Sequence, residues 1–184
     1  MKRVFDIVVS LVALLILMPI ILAVAVIIYL TDKGPVFFRQ ERVGLHGKTF
    51  QIFKFRSMVI NASSLGSHQT QEADSRITPV GRVIRKTSID ELPQLLNVLF
   101  NQMSIVGPRP NVPLQREEYV EHEWNKRNGV KPGITGLAQA LGRSDLSPER
   151  RTQLDLEYVD SHSFWGDLRI IYLTLIQIFT KGGN

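Results

Sequence analysis

Two adjacent carboxylates, Asp90 and Glu91, lie inside the segment TSIDELPQLLN, which spans residues 87–97. A carboxylate can act as a nucleophile, as an acid or base, or as a metal ligand. The segment can also be explained without chemistry, because Ser88 and Glu91 match a capping box and the leucines that follow have helical spacing. Pro93 fits the first turn of such a helix better if Asp90 is the cap. From this segment alone, capping and catalysis both remain open.

Cationic side chains surround the pair in the sequence. Arg82, Arg85 and Lys86 precede it in the segment GRVIRKTSIDELPQ. They would either neutralise the two carboxylates or hold phosphate groups on which the carboxylates act. Arg109 follows in SIVGPRPNVP, between two prolines that fix the backbone and favour an extended geometry. A rigid guanidinium suits paired hydrogen bonds to phosphate, and the alternative is a rigid turn with a surface arginine.

The composition excludes several kinds of site. None of the 184 residues is cysteine, so a thiol nucleophile, a disulfide framework and a thiolate metal site are excluded. The four histidines show no ligand spacing, which argues against zinc. Oxygen-ligated cations such as Mg²⁺ remain as candidate metals. A formal net charge of +5 indicates anionic partners, namely nucleic acid, phosphorylated small molecules or acidic lipid.

The N-terminus contains an apolar segment that indicates contact with a membrane. Residues 7–30 carry no charge and would form a helix about 36 Å long, enough to cross a hydrocarbon core of about 30 Å. A cleaved signal peptide is disfavoured because it would leave an apolar stub on the mature chain. Two geometries remain: a spanning helix, and a re-entrant helix that breaks at Pro19, the midpoint of the segment. Lysine and arginine flank both ends, which favours a cytoplasmic position for both.

The division that follows is a membrane segment over residues 1–31 and a cytoplasmic domain over residues 32–184. In that domain, residues 36–43 and 49–58 are rich in aromatic and β-branched residues and flank a glycine-containing loop, which is typical of a β-hairpin. Period-two alternation places Lys54 and Arg56 on one face of the second strand. This basic face is either a solvated surface near acidic lipid or a phosphate site.

The rest of the domain is predicted to be mainly helical. Residues 113–128 have the spacing of an amphipathic helix, KPGITG at 131–136 is typical of a turn, and Ser147-Pro148 is typical of a helix start. Residues 164–179 are largely apolar, but the run is too short to span a membrane, so it lies in the core or at the membrane interface. The predicted class is α+β, predominantly helical with a small β-hairpin or sheet, a membrane-embedded N-terminal helix and interfacial amphipathic helices.

Six motifs occur together and in order: GPVFFRQERVG, KFRSM, TSIDELPQLLNV, MSIVGPRP, KPGITGLAQ and LDLEYV…SFWGDL. In this combination the chain resembles the bacterial sugar transferases, the monotopic phosphoglycosyl transferases that act on polyprenyl phosphate. The resemblance covers nearly the whole chain. It implies transfer of a sugar 1-phosphate from a UDP-sugar to undecaprenyl phosphate, with release of UMP and with Mg²⁺ as cofactor. It also implies a position among the lipids of the bacterial inner membrane, at the first membrane step of glycoconjugate or polysaccharide synthesis.

The resemblance also implies roles for single residues. Asp90 matches a nucleophile that forms a covalent aspartyl-phosphosugar intermediate, and Glu91 matches its companion acid, base or metal-site carboxylate, so both are candidate Mg²⁺ ligands. Pro19 matches the proline of a re-entrant membrane hairpin, although the family often has serine before it and this chain has Met18. The candidate substrate- or phosphate-binding residues, taken from the basic residues near the pair and from KPGITGLAQ, are Arg85, Arg109, Lys54, Arg56, Arg82, Thr135 and Gln139.

Two other functions are alternatives to transfer. A membrane-anchored basic domain that binds nucleic acid or acidic lipid would tolerate Asp90→Asn but not neutralisation of Lys54 or Arg56. A Mg²⁺-dependent nucleotide-sugar hydrolase would use water in place of the lipid phosphate. The transferase interpretation expects no nucleic-acid partner and allows a homo-oligomer.

Overall fold

One long helix, α1 (Lys2–Asp32), forms the apolar N-terminus in the computed structural model, which describes residues 1–62, 65, 74–142 and 146–181. Pro19 lies inside α1 rather than between two separate helices, which corrects the prediction of two arms separated by a break. A proline inside a helix removes one backbone hydrogen bond, and neighbouring contacts can compensate for it. In the described part of the chain, α1 is the one helix long and apolar enough to cross a membrane.

Both ends of α1 contact the same globular body. Near its start, the Asp6 carboxylate accepts hydrogen bonds from Ser104 Oγ at 2.9 Å and from the Ile105 amide at 3.1 Å. At its end, Asp32 pairs with Arg56 at 3.3 Å. Between these points only 11% of the most apolar 18-residue stretch is buried. The helix therefore lies along the body and leaves most of its apolar surface uncovered.

The predicted hairpin is confirmed. Strands β1 (Phe37–Val43) and β2 (Thr49–Phe55) pair antiparallel, with Phe37 opposite Phe55 and Val43 opposite Thr49. A short 3₁₀ turn, Leu45–Gly47, connects them. The side chain of Ile52 enters the main core and that of Phe55 enters a second cluster against the C-terminal half of α1. The hairpin thus ties α1 to the rest of the body.

The segment around the two carboxylates forms neither of the predicted caps. Helix α2 (Pro79–Lys86) is followed by a 3₁₀ turn, Ile89–Glu91, and then by the short helix α3 (Gln94–Leu99). Ser88 has φ 57°, in the left-handed region, and its side chain makes no capping hydrogen bond. Pro93 is the N-cap residue of α3. The capping box fails because the backbone reverses at Ser88 before any helix begins.

A second, two-stranded sheet lies beneath this turn. Strands β3 (Ser104–Val106) and β4 (Gly133–Thr135) pair in parallel, so the KPGITG segment contributes a strand where a turn was predicted. The backbones of the two strands approach each other closely at glycine. A Cβ on Gly133 would lie 2.1 Å from the amide nitrogen of Gly107, the residue after β3. The glycine that suggested a turn is required here for close packing.

The remaining helices surround β3 and β4. The helix predicted over residues 113–128 is interrupted, since a 3₁₀ segment, Pro113–Glu118, and helix α4 (Glu121–Arg127) are separated by extended backbone at Val120. Helix α5 (Leu137–Leu141) follows β4. Helix α6 (Pro148–Ser161) begins as predicted, with the Ser147 side chain accepting from the Arg150 amide. Helix α7 (Phe164–Lys181) ends the described chain, and the α+β class is confirmed.

Candidate active site

Asp90 lies in the turn between α2 and α3 and is almost buried. The residue is 7% exposed, and its carboxylate accepts no hydrogen bond from any residue that the structure describes. Burial raises the pKa of Asp90 to about 6; the neighbouring charge of Glu91 acts in the same direction, and the charges of Lys54 and Arg85 act against it. At neutral pH the group is ionised but poorly stabilised by the protein. This is the condition expected of a carboxylate nucleophile.

Glu91 has the opposite environment. Its Oε1 atom accepts a hydrogen bond from Lys54 Nζ at 2.7 Å and another from Arg109 at 2.9 Å. Burial alone would raise the pKa of Glu91, but the two cations and their hydrogen bonds outweigh burial and hold the pKa well below its usual range. The repulsion between the adjacent carboxylates is therefore offset mainly at Glu91, which is fixed as an anion.

Arg109 is carried by a loop in which four consecutive carbonyl groups accept hydrogen bonds. The donors to the carbonyls of residues 108, 109, 110 and 111 are, in order, Gly133 N (3.0 Å), Arg127 Nη2 (2.5 Å), Arg42 Nη1 (2.9 Å) and Val43 N (2.8 Å). These donors belong to β4, α4 and β1. The two prolines were predicted to stiffen this loop, and the structure adds tertiary hydrogen bonds that the sequence did not predict.

A buried ion pair supports this loop from below. Arg127 and Asp155 pair at 2.8 Å, and each side chain is 2% exposed. The same guanidinium donates to the carbonyl of Arg109. Asp155 thus orients Arg127, and Arg127 holds the backbone from which the Arg109 side chain reaches Glu91.

Asn97, the last residue of TSIDELPQLLN, fixes β2 against α3. Its side chain is fully buried and accepts from the Phe53 amide at 2.9 Å, while its amide nitrogen donates to the Gln51 carbonyl at 2.7 Å. These bonds occupy backbone groups on the free edge of the hairpin. They set the strand that carries Lys54 at a fixed distance from the turn that carries Glu91.

The structure brings some predicted residues together and places others elsewhere. Lys54, Arg85 and Arg109 all act electrostatically on Asp90. Arg56 does not join them, because it turns to Asp32 at the end of α1. Arg82 is exposed on α2. The basic face predicted for β2 is therefore divided between the carboxylate turn and the membrane helix.

Thr135 and Gln139 line a cavity of about 460 Å³ beside Glu91 and Arg109, a volume within the range of small-ligand sites. The Thr135 hydroxyl shares a hydrogen bond with Thr174 at 2.6 Å. Both polar atoms of the Gln139 side chain are shielded from solvent and have no partner in the described structure. Asp90 itself does not line this cavity. Its walls are otherwise mostly apolar and come from α1, α3, β3, β4, α5 and α7.

Asp90 and Glu91 are also the predicted Mg²⁺ ligands. Among the described residues no group of three or more histidine, aspartate or glutamate side chains could hold a metal ion. Mg²⁺ is commonly bound by one or two carboxylates together with substrate phosphates and water. The Asp90 carboxylate, which accepts no hydrogen bond from a described residue, and the second oxygen of Glu91 fit such an ion. They do not form a complete protein cage for it.

Three supporting residues were not predicted from the sequence: Asn97, Arg127 and Asp155. Arg127 and Asp155 are 28 residues apart, so their spacing gives no indication of pairing. The sequence did contain one indication of a buried ion pair, because Asp155 lies between Leu154 and Tyr158 on the buried face of α6. An acidic residue on the apolar face of a helix is expected to have a buried cationic partner.

Comparison with known proteins gives a family match over residues 1–181, to the family described as bacterial sugar transferase. Three relatives illustrate its range. The UDP-glucose:undecaprenyl-phosphate glucose-1-phosphate transferase of Klebsiella pneumoniae is 45% identical over 97% of this chain and 40% of its own length. The undecaprenyl-phosphate galactose phosphotransferase of Salmonella typhimurium is 40% identical over 100% of this chain and 41% of its own length. The uncharacterized sugar transferase EpsL of Bacillus subtilis is 45% identical over 100% of this chain and 89% of its own length.

The relatives differ in length. The chain spans about two fifths of the Klebsiella and Salmonella proteins, but nearly all of the Bacillus protein. Its whole length is therefore similar to one part of the larger transferases.

Proposed function

The chain belongs to the bacterial sugar transferase family, and we propose that it transfers a hexose 1-phosphate from a UDP-hexose to undecaprenyl phosphate. The products are UMP and an undecaprenyl-diphospho-sugar, formed at the first membrane step of a polysaccharide or glycoconjugate pathway. The names of the relatives support glucose or galactose as the sugar.

The observation that carries this proposal is the contrast within the dyad. Glu91 is neutralised by Lys54 and Arg109, whereas Asp90 accepts no hydrogen bond in the described structure and has a raised pKa. An ionised carboxylate that accepts no hydrogen bond from a described residue, beside cations that suit phosphate, is arranged to attack a phosphorus atom.

The proposed mechanism has two steps. In the first, an oxygen of Asp90 attacks the phosphorus bonded to the sugar, the bond from that phosphorus to the bridging oxygen breaks, and UMP leaves with that oxygen. The sugar phosphate is then held on Asp90 as an acyl phosphate. In the second, an oxygen of undecaprenyl phosphate attacks the same phosphorus and the Asp90 carboxylate is released. Arg85, Lys54 and Arg109 supply positive charge near the transferred group throughout.

Asp90 and Glu91 are the residues that would hold Mg²⁺, with the phosphates of the nucleotide sugar as further ligands. When bound, the ion neutralises charge on the diphosphate and favours departure of UMP. Glu91, fixed by its two cations, keeps the neighbouring positive charges ordered around Asp90 whether or not the substrate is present.

The position of α1 supports a membrane-associated enzyme in which both ends of this helix lie on the cytoplasmic side of the inner membrane and its uncovered apolar surface contacts lipid. A 31-residue helix extends about 46 Å, which exceeds a hydrocarbon core of about 30 Å. Both of its ends contact the body, which can occupy only one side of a membrane. Exposed aromatic residues Phe164, Trp165 and Tyr172 on α7 suit the headgroup region beside it.

The topology is tested with cysteines at the two ends of α1. Lys2 is hydrogen-bonded to the body, so one cysteine is inserted after Met1 and the other replaces Lys33. In intact cells both should be protected from a membrane-impermeant thiol reagent, and both should react after permeabilisation. Labelling of the N-terminal cysteine from outside would establish a spanning helix.

The activity is tested by incubating the protein with Mg²⁺ and labelled UDP-glucose or UDP-galactose, without lipid. The peptide that contains Asp90 should gain the mass of one sugar phosphate, and addition of undecaprenyl phosphate should move the label into organic solvent. Label that appears in water as free sugar phosphate would identify a hydrolase. Full transfer with sequential kinetics and no adduct would leave direct displacement as the mechanism.

A further inference from the structure

The cavity beside Glu91 has walls that belong to the membrane-facing part of the protein. One wall is the N-terminal half of α1, through Val9, Ala13 and Leu17, and another is α7, through Ile171 and Leu175. Most of the other face of α1 is exposed. The cavity therefore lies between the dyad and the helix that contacts lipid.

Among the described residues, the charged side chains that line this cavity are Glu91, Arg109 and Arg151. Glu91 and Arg109 are paired with each other at 2.9 Å. Arg151, near the start of α6, is partly buried and makes no hydrogen bond or ion pair with a described residue. Its charge interacts with that of Asp155, but the Asp155 carboxylate is ion-paired with Arg127. A partly buried guanidinium whose N–H groups donate to no described residue is suited to bind an anion. The cavity thus combines apolar walls with a cationic end.

The two sides of the dyad differ in polarity. Asp90, Lys54 and Arg85 are not among the residues that line the cavity, and the charges of Lys54 and Arg85 both act on Asp90. A nucleotide sugar carries hydroxyl groups along its length, and burying them against Val9 or Ala13 would leave them without hydrogen-bond partners. An isoprenoid chain carries none. The cavity therefore suits an apolar chain that ends in a phosphate.

We propose that this cavity binds the phosphate-proximal part of the acceptor's isoprenoid chain and that Arg151, with Arg109, binds its phosphate. The inference rests on the proposed function, since it assigns one substrate of that reaction to a site. The nucleotide sugar then reaches Asp90 from the side of Lys54 and Arg85. Glu91 lies between the two substrates, because it lines the cavity and adjoins Asp90 in the chain.

The first experiment measures steady-state kinetics of Arg151→Gln, with Arg150→Gln as the matched control. Arg150 is exposed on the same helix, so the control removes the same charge one position away. Arg151→Gln should raise the KM for undecaprenyl phosphate about tenfold or more, the usual effect of losing a charge-assisted hydrogen bond. The KM for the UDP-sugar should stay the same, and the control should change neither value. A rise in the KM for the UDP-sugar alone, or no change in either KM, would overturn the assignment.

The second experiment detects the lipid without turnover. The full chain in lipid nanodiscs is irradiated with undecaprenyl phosphate that carries a diazirine near its phosphate end. Adducts are expected on α1 and α7 peptides that line the cavity. Ala13→Phe should abolish them by filling the cavity, whereas Val12→Phe, at a position that is 48% exposed, should leave them unchanged. Undecaprenol with the same diazirine is the control for the phosphate, which it lacks. Its adduct yield should be the same in the wild type and in Arg151→Gln.

The outcomes separate this proposal from the proposed function. Adducts in the cavity, but no transfer from any UDP-sugar, would leave the lipid site standing and reject the reaction. Active transfer with adducts only outside the cavity would reject the lipid site and leave the reaction intact. Adducts that survive Ala13→Phe would also reject the lipid site.

Discussion

The turn that carries Asp90 and the loop that carries Arg109 are built in opposite ways. Each of the four carbonyl groups from Pro108 to Asn111 accepts a hydrogen bond from another element, and a buried ion pair lies behind the loop. Asp90 follows a residue with positive φ and accepts no hydrogen bond in the described structure. The protein fixes the guanidinium that we propose holds phosphate, and among the described residues it gives the proposed nucleophile no hydrogen-bond donor. Fixed charges need no reorganisation during the reaction, whereas a hydrogen-bonded nucleophile would be less reactive.

The largest effect on the transfer rate is expected at Asp90. Asp90→Asn should lower kcat by at least about a thousandfold, because the amide cannot form the covalent intermediate. Unfolding free energy at neutral pH should be equal to or higher than that of the wild type, since no hydrogen bond to a described residue is lost and the buried charge, whose raised pKa marks it as destabilising, is removed. Transfer assays measure kcat, and denaturant titrations measure the unfolding free energy, for the wild type and for Asp90→Asn. Full transfer activity in the Asn variant would show that Asp90 is not the nucleophile.

A smaller effect is expected when the fixed cation is altered but its charge is kept. Arg109→Lys loses the planar fork that can hold both Glu91 and a phosphate, so kcat/KM should fall about tenfold or more. Arg150→Lys, a change at an exposed position, is the control and should be neutral. Wild-type kinetics for Arg109→Lys would show that Arg109 only completes a rigid turn.

The support of the loop should affect stability more than rate. Asp155→Asn leaves the Arg127 charge buried without its partner and should cost about 3–5 kcal/mol of unfolding free energy. Because the Arg109 loop is displaced rather than removed, kcat/KM should fall by between about three- and tenfold. In an Arg109→Lys background the same substitution should lower the rate by less, since the two changes act on one group. Fully additive losses in rate would show that Asp155 does not act through Arg109.

The smallest effect is expected outside the site. Arg82→Gln removes an exposed charge on α2, so kcat/KM should stay within about twofold of wild type. Arg85→Gln is the comparison, since Arg85 lowers the pKa of Asp90, and its loss should be larger. Equal losses for both would mean that the positive charge near the dyad acts collectively and that position does not matter.

The sequence was sufficient for features carried by local pattern or by a motif. The apolar helix and the hairpin follow from composition and period two, and the dyad and Arg109 follow from motifs in a recognisable order. The capping box at Ser88 was wrong because a positive φ and Pro93 override the local match. The strand at KPGITG was missed because its three residues are fixed only by pairing with β3. Tertiary contacts of this kind leave no periodic trace in the chain.

The buried bonds of Asp6 have a consequence for the order in which the protein is assembled. Its partners lie 98 and 99 residues further along the chain, so α1 is synthesised long before β3 exists. At about 5–20 residues per second this delay lasts roughly 5–20 seconds. During that interval the acidic side chain must remain in water, because burying it in hydrocarbon without a partner is costly. The helix can therefore meet the membrane early, but its first turns can dock only after the nascent chain has supplied β3.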